Sequence, residues 1–341
     1  MKKYVTIAII LAVVVAIHIF LLRPLISSDE DKKPEQVKPV PEIIKPEELA
    51  PVVNTLKHPS KNPLFGKFFD YRKAIWGNKL PVAGCKEVHA GILADLDNHK
   101  VLWAKNPRTG VPVASMTKMM TLLLAVETID KNPDIDLETP VQVTKEAAGI
   151  GGSQVYLDVR ETHPFGELLK TMAIKSANDS AYLVGEYIDG YSVSGFVKKM
   201  NKRAFELRMP STVFVNPHGL TIDKKNCMSS PEGMLILAEN LLQYPLLMQW
   251  FSTTTDYFRP EGDKHRQLLT NTNRRLLQKC RGVDGMKTGY TRAAGFCITA
   301  TCLRNGRRLV AVVTGFKTSK SRNAFVAKIF DWGFGQIDSK K

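Results

Sequence analysis

Two stretches of strand-forming text stand at opposite ends of the globular part of this chain, and any fold it adopts must bring them together. Near the start, Val88 to Asp95 alternates in part and Lys100 to Trp103 resumes after Asp97-Asn98-His99, which predicts a hairpin. Near the end, Phe296 to Leu303 and Leu309 to Phe316 flank Arg304-Asn305-Gly306-Arg307. Asn-Gly between two apolar runs is a strong tight-hairpin signal. Helical text lies between. Met116 to Ile129 is apolar at Met116, Met119, Met120, Leu122, Leu123, Leu124, Val126 and Ile129, so it reads as a central helix buried on most sides. A last helix is expected over Arg322 to Trp332. A sheet closed from distant parts of the chain, with helices between, is α+β and mainly antiparallel rather than doubly wound. No internal repeat is found.

What precedes this domain is organised differently. Tyr4 to Leu22 is interrupted only by Thr6 and His18, long enough to cross most of a hydrocarbon core of ~30 Å. A cleavable signal has a shorter apolar region and a small-residue exit, whereas Leu21-Leu22-Arg23-Pro24-Leu25 suits no signal peptidase well and no Cys lies near. Residues 1–24 are therefore expected to be an uncleaved signal-anchor, with a cleaved signal as the alternative. Lys2 and Lys3 hold the N-terminus inside and place the rest outside the cytoplasm. Residues 25–60, with Pro34, Pro39, Pro41, Pro46 and Pro51, read as a charged spacer that forms neither helix nor sheet. Residues 61–84 carry Phe65, Phe68, Phe69, Tyr71 and Trp76, read as an extension packed on the domain, with a partner-binding patch as the alternative. The domain itself is placed at residues 85–337, followed by a tail at 338–341.

Three short motifs carry the chemistry. Ser115-Met116-Thr117-Lys118 opens the buried helix and is the only S-x-x-K in the chain. Residues three apart share a helix face, so the amine can reach the hydroxyl. The positive end of the helix favours an alkoxide and disfavours an ammonium, as does burial, so Lys118 can serve as base. Ser176-Ala177-Asn178 follows; its hydroxyl can relay a proton, and its amide can hold a substrate carbonyl or orient the lysine. Lys287-Thr288-Gly289 comes last. Gly289 is expected to let an extended peptide approach an edge strand as one more strand, while Lys287 and Thr288 supply charge and a donor for a carboxylate.

In this order and spacing the three motifs resemble those of the penicillin-binding proteins. The chain is most similar to the D-alanyl-D-alanine carboxypeptidases, low-molecular-mass penicillin-binding proteins, over roughly residues 85 to 337. The carrying segments are Pro112 to Lys118, Gly152-Ser153-Gln154, Ser176 to Ala181, Asn216 to Leu220, Asp284 to Thr291 and Asp331 to Phe334. The resemblance implies the penicillin-binding-protein and β-lactamase-like fold, with helices around a buried central one. It implies Ser115 as the acylated nucleophile, Lys118 as its base and Ser176 as proton relay. It further implies Asn178, Lys287, Thr288 and Gly289 as substrate-binding, with the backbone N–H groups of Ser115 and Tyr290 as oxyanion hole. Arg322, in Lys320-Ser321-Arg322, matches a family arginine that meets the substrate's terminal carboxylate. Asn216-Pro217-His218-Gly219 reads as a structural turn rather than a second base. The implied substrates are peptidoglycan stem peptides ending in D-Ala-D-Ala, with β-lactams as covalent inhibitors and no cofactor.

Two departures stand out. Many relatives continue into a second β-rich domain and an amphipathic anchor, whereas here Lys341 follows soon after Asp331-Trp332-Gly333-Phe334, and the N-terminal helix is expected to take the anchor's place. Met228-Ser229-Ser230-Pro231-Glu232 stands where the family has a Ser-Ala-x-Asp-like stretch, which leaves the local helix start open. DD-endopeptidase or transpeptidase activity would use the same machinery. A non-catalytic, membrane-tethered peptidoglycan-binding protein is disfavoured because it would have no need of Lys118. No Glu-x-x-x-Asn motif of a β-lactamase lies between Ser176 and Lys287.

Cys85, Cys227, Cys280, Cys297 and Cys302 make no C-x-x-C and the seven His no H-x-x-x-H, so no metal site is expected. Cys297 and Cys302, five apart on a predicted strand, should face opposite ways. The net charge of +15 invites a nucleic-acid reading, which the extracytoplasmic placement disfavours. Seventeen basic and three acidic residues in 264–341 place most of that excess in the last quarter, beside Lys287, Lys320 and Arg322. That suits anionic wall polymer and a substrate carboxylate.

Overall fold

The computed structural model describes residues 68–338; the predicted anchor, the spacer and the start of the aromatic extension lie outside the described residues. Among the described residues no helix is long and apolar enough to cross a membrane.

The two ends of the domain meet in one six-stranded sheet. Its strands are β1 (Ile75–Trp76), β2 (Gly91–Asp95), β3 (Lys100–Lys105), β4 (Val283–Thr291), β5 (Gly295–Arg304) and β6 (Arg307–Phe316), in the order β1-β3-β2-β6-β5-β4. All pairings are antiparallel except the short β1–β3 pair. The β5–β6 hairpin turns on Asn305 and Gly306, both with positive φ (50° and 72°). A tight turn that matches the strand twist needs this pair of left-handed residues, and Asn-Gly adopts it readily.

Both faces of the sheet are buried, and the period of two sorts their side chains. On one face Ile92, Ala94, Val310, Val312 and Cys297 join the larger core, with helices α1 (Lys118–Lys131), α2 (Phe165–Ile174), α3 (Asn178–Ile188) and α4 (Pro231–Leu241). On the other, Leu93, Leu309, Ala311, Val313, Ile298 and Cys302 pack beneath α5 (Ser319–Asp338). Cys297 and Cys302 thus face opposite ways, as their odd spacing requires. All five cysteines are free thiols.

The central helix is buried along nearly its whole length, Leu124 being one of its few half-buried apolar positions. It starts later than its pattern suggests. Ala114–Thr117 is a 3-10 turn, and the α-helix begins at Lys118. Ser115 therefore sits on the approach to the helix rather than in its first turn. At α4 the open question is settled by capping: Ser230 accepts from the Gly233 N–H and Pro231 occupies the first turn.

Residues 68–84 lie on the domain. Phe69 stacks on His99 at 4.6 Å, Trp103 Nε1 donates to the Gly77 carbonyl at 2.9 Å, and Tyr71 donates to Glu232, which also receives Arg108. His99 in turn pairs with Glu239 of α4, both buried.

Candidate active site

The site forms where the 3-10 turn before α1, the start of α3 and the edge strand β4 converge. Ser115 is the half-buried residue of a turn whose other members, Ala114, Met116 and Thr117, are buried, so its hydroxyl is the one left at the surface. Beneath it Lys118 is fully buried and its Nζ has three neighbours. These are Ser115 Oγ at 3.2 Å, Asn178 Oδ1 at 2.6 Å and the backbone carbonyl of His218 at 2.7 Å. Two of the three can only accept. A neutral amine has two N–H groups for those carbonyls and one lone pair, which then faces the Ser115 hydroxyl. Burial holds the Lys118 pKa well below the usual lysine range, and the nearby Lys287 charge pushes the same way; Asp179 opposes them. A base aimed at a nucleophile results.

Asn178 has both ends of its amide engaged. Oδ1 accepts from Lys118, and Nδ2 donates to the Gly151 carbonyl at 2.7 Å. Of the two duties open to it from sequence, orienting the lysine is the one this geometry fills. Its neighbour Asp179, fully buried, accepts from the backbone N–H groups of Val155 and Leu157 and ties that loop to α3. Ser176 is buried with φ of 68°, and its Oγ has no hydrogen-bond partner among the described residues. A buried hydroxyl without a partner is costly unless something else comes to it.

The Asn216–Gly219 turn supplies a group that sequence reasoning missed. The His218 imidazole does not meet Lys118; its backbone carbonyl does. Burial, then the Lys118 charge, pushes the imidazole pKa down to about 3, so the ring is neutral, and its Nδ1 accepts from the Leu220 N–H. Asn216 Oδ1 fixes the turn by accepting from the N–H groups of His218 and Gly219. Gly219 has φ of +88°, and a Cβ there would stand 2.0 Å from the Ala114 carbonyl. A carbonyl belongs to every residue, so no residue type could have announced this contact.

On β4, Lys287 is fully buried and its Nζ donates to the Thr288 carbonyl at 3.3 Å. Burial lowers its pKa to about 7; the Cys297 thiol opposes this and the Arg322 charge adds to it. Thr288, itself buried, donates from Oγ1 to Oγ1 of Thr272 at 2.8 Å, an exposed residue that the motifs did not flag. Gly289 is packed against the Ser115 turn. A Cβ at this position would meet the Val113 carbonyl at 2.7 Å, Cys297 Sγ at 2.8 Å and Ala114 Cβ at 3.2 Å. The close approach its missing Cβ permits is that of the Ser115 turn, from inside the protein. Tyr290 is exposed, its ring stacked on Phe296 at 4.3 Å.

Ser115, Lys118 and Asn178 are linked by direct hydrogen bonds, with Lys287 close enough to repel Lys118 electrostatically. Arg322 is otherwise engaged. It is buried, and its guanidinium donates to the Cys297 carbonyl and to Asn323 Oδ1. No cluster of three or more metal-ligating side chains occurs among the described residues.

A serine held against a buried lysine, beside the edge strand of a two-faced sheet, is the arrangement of the penicillin-binding proteins. The chain belongs to the D-alanyl-D-alanine carboxypeptidase family (Peptidase_S11), which matches over residues 82–318. It is 42% identical over 253 residues to the D-alanyl-D-alanine carboxypeptidase DacF of Bacillus subtilis, covering 74% of this chain and 64% of that one. Identity to DacA of Haemophilus influenzae is 31%, over 73% of this chain and 62% of the relative. The chain thus spans slightly less than two thirds of these relatives' length. Among solved structures, ampicillin-bound penicillin-binding protein D2 of Listeria monocytogenes superposes with a TM-score of 0.64 at 27% identity, over 73% of this chain and 97% of that one.

Proposed function

We propose that this protein is a serine-type D-alanyl-D-alanine carboxypeptidase that trims peptidoglycan stem peptides and is acylated by β-lactams at Ser115. The observation that carries the reading is the fully buried Lys118 amine, held by the Asn178 amide oxygen and the His218 carbonyl with Ser115 Oγ 3.2 Å away. Lys118 takes the Ser115 proton as Oγ attacks the carbonyl carbon of the penultimate D-Ala. The backbone N–H groups of Ser115 and Tyr290 receive the oxyanion. When the intermediate collapses the C–N bond breaks, and the departing D-Ala amine takes a proton from Lys118 by way of the Ser176 hydroxyl, which has no partner among the described residues. Water then hydrolyses the ester, with Lys118 again as base. Thr288 and Lys287 receive the terminal carboxylate.

The same reading places the domain on the extracytoplasmic side of a bacterial membrane, held there by residues 1–24 and spaced by residues 25–60. Its motivation is the Tyr4–Leu22 apolar run with Lys2 and Lys3 before it. Protease treatment of intact spheroplasts should degrade the domain, and carbonate washing should leave the protein in the membrane pellet; a protected or washed-out domain contradicts this placement.

A fluorescent penicillin should label the wild type covalently and fail to label Ser115→Ala. Purified protein should release D-Ala from a D-Ala-D-Ala tripeptide. Label on the variant, or none on the wild type, removes Ser115 from its role. Mass spectra of digested muropeptides separate loss of a terminal D-Ala from cleavage of cross-links.

A further inference from the structure

At the sheet edge opposite β4, the aromatic extension and the domain together enclose a pocket of about 570 Å³ that the reaction as described does not use. The extension contributes Tyr71 and Trp76 to its lining, and the segment after β3 contributes Asn106, Pro107, Arg108 and Thr109. Both rings are held in place. β1 sets Trp76 opposite Ala104 of β3, and the indole stacks on Tyr71 with centroids 5.5 Å apart and planes 25° from parallel. Tyr71 is fixed in turn by its hydrogen bond to Glu232 and by the Arg108 guanidinium, 5.9 Å from its ring centre. Trp76 nonetheless remains 49% exposed, a large apolar surface kept open to solvent at a set orientation.

The polar groups of the pocket narrow the ligand. Arg108 is the cation in its lining, and its Nε and Nη2 both donate to the Glu232 carboxylate; Arg72, next to Tyr71, is paired with Asp70. A pocket whose charge is already balanced has little attraction for an anionic headgroup or a phosphate polymer. Asn106 donates from Nδ2 to the His89 carbonyl, while its Oδ1 and the exposed Thr109 hydroxyl have no partner among the described residues. Aromatic surface with amide and hydroxyl groups at its margin suits a ring that is apolar on its faces and polar around its rim. A pyranose has that form: its axial C–H bonds meet the electron-rich face of an aromatic ring, and its hydroxyl and acetamido groups point outward.

Resting on the carboxypeptidase reading, the sugar at hand is that of the polymer which carries the stem peptides. Gly110 to Ala114 join Thr109 to Ser115, so the pocket and the nucleophile are no more than about 22 Å apart at this wall. An extended peptide of about six residues, at roughly 3.3 Å each, covers that distance. We propose that the Tyr71–Trp76 pocket binds a neutral N-acetylated sugar of the glycan and holds the polymer while one of its peptides enters the site at Ser115. Further peptides on the same polymer are then presented at a raised effective concentration.

The test uses the full chain in detergent, with chitotetraose (four N-acetylglucosamine units and no peptide) as the probe and isothermal titration as the readout. Trp76→Ala should weaken binding roughly tenfold, the scale of one aromatic contact, and Trp76→Phe should weaken it less. Cellotetraose, which has the same rings without acetamido groups, should bind the wild type more weakly than chitotetraose. Labelling with a fluorescent penicillin checks that each variant is folded. In D-Ala release, the ratio of kcat/KM on soluble glycan-linked peptides to that on a free tripeptide should fall in Trp76→Ala. No binding of chitotetraose, binding unchanged in Trp76→Ala, or equal binding of cellotetraose overturns the sugar site while leaving the carboxypeptidase reading intact. Binding that depends on Trp76, in a protein that neither releases D-Ala nor takes penicillin, overturns that reading instead and leaves the sugar site standing.

Discussion

Lys287 is the side chain whose removal should reveal most about what the site costs the fold. It is fully buried, and its one hydrogen-bond acceptor among the described residues is the carbonyl of Thr288, an uncharged group. Burial brings its pKa from the usual 10.5 down to about 7. In the unfolded chain the amine keeps its proton up to about 10.4, so between pH 7 and 10 the unfolded state binds more protons and stability rises with pH. One proton gives a slope of about 1.4 kcal/mol per pH unit. Taken over the whole interval, this amounts to an upper limit of roughly 5 kcal/mol of stability forgone at and below pH 7. Methionine has a similar length and volume and no charge to desolvate. Lys287→Met should therefore unfold at higher urea than the wild type at pH 6 to 7, by a few kcal/mol. The advantage should shrink as pH rises towards 10, while D-Ala release is lost. Lys118 adds a second contribution of the same sign, so the variant keeps part of the wild-type slope. Urea titrations at pH 6, 7, 8, 9 and 10, read by tryptophan fluorescence, measure both quantities. A variant no more stable than the wild type at pH 6 and 7, or one with an unchanged pH slope, would refute the reasoning.

Two further substitutions probe the scaffold around the base. Asn178→Ala removes one of the two acceptors that orient the Lys118 amine, and penicillin acylation should slow by about 10² or more while the fold persists; acylation at the wild-type rate would show that the His218 carbonyl suffices. Gly219→Ala puts a methyl group against the Ala114 backbone at a positive φ. It should lower stability by more than about 3 kcal/mol in thermal melts, and an unchanged Tm would mean that the turn tolerates what the geometry forbids.

Much of this architecture can be read from residue order because its signals are local. Asn305-Gly306 needs only its own backbone preference to make a hairpin. The spacing of Ser115 and Lys118 survives even though the first lies in a 3-10 turn, since residues three apart approach one another in either helix type. What sequence could not supply depends on surfaces that meet only in the folded chain. The side-chain position left empty at Gly289 is taken up by Val113, Ala114 and Cys297, contributed by two other parts of the chain. Thr272 became visible only when Thr288 was found beside it. Arg322 had the expected position along the chain, but the direction of its guanidinium is decided by Cys297 and Asn323.

The sheet that joins the two ends of the domain also sets a timetable. Gly91 to Asp95 pairs with Leu309 to Val313, strands separated by more than two hundred residues. Contacts so distant in sequence form late, because a long loop must close before they contribute anything. During synthesis the helices between them, with their apolar faces, emerge well before β6 is available to cover β2. Until that strand arrives the first hairpin has an open edge and the large core has no floor, the state in which a chain of this size is most prone to aggregate. Ser115 and Lys287 both lie inside that interval, near its two ends, so bringing the nucleophile to the strand that faces it also requires the closure of a long loop. A partly synthesised chain is therefore chemically silent.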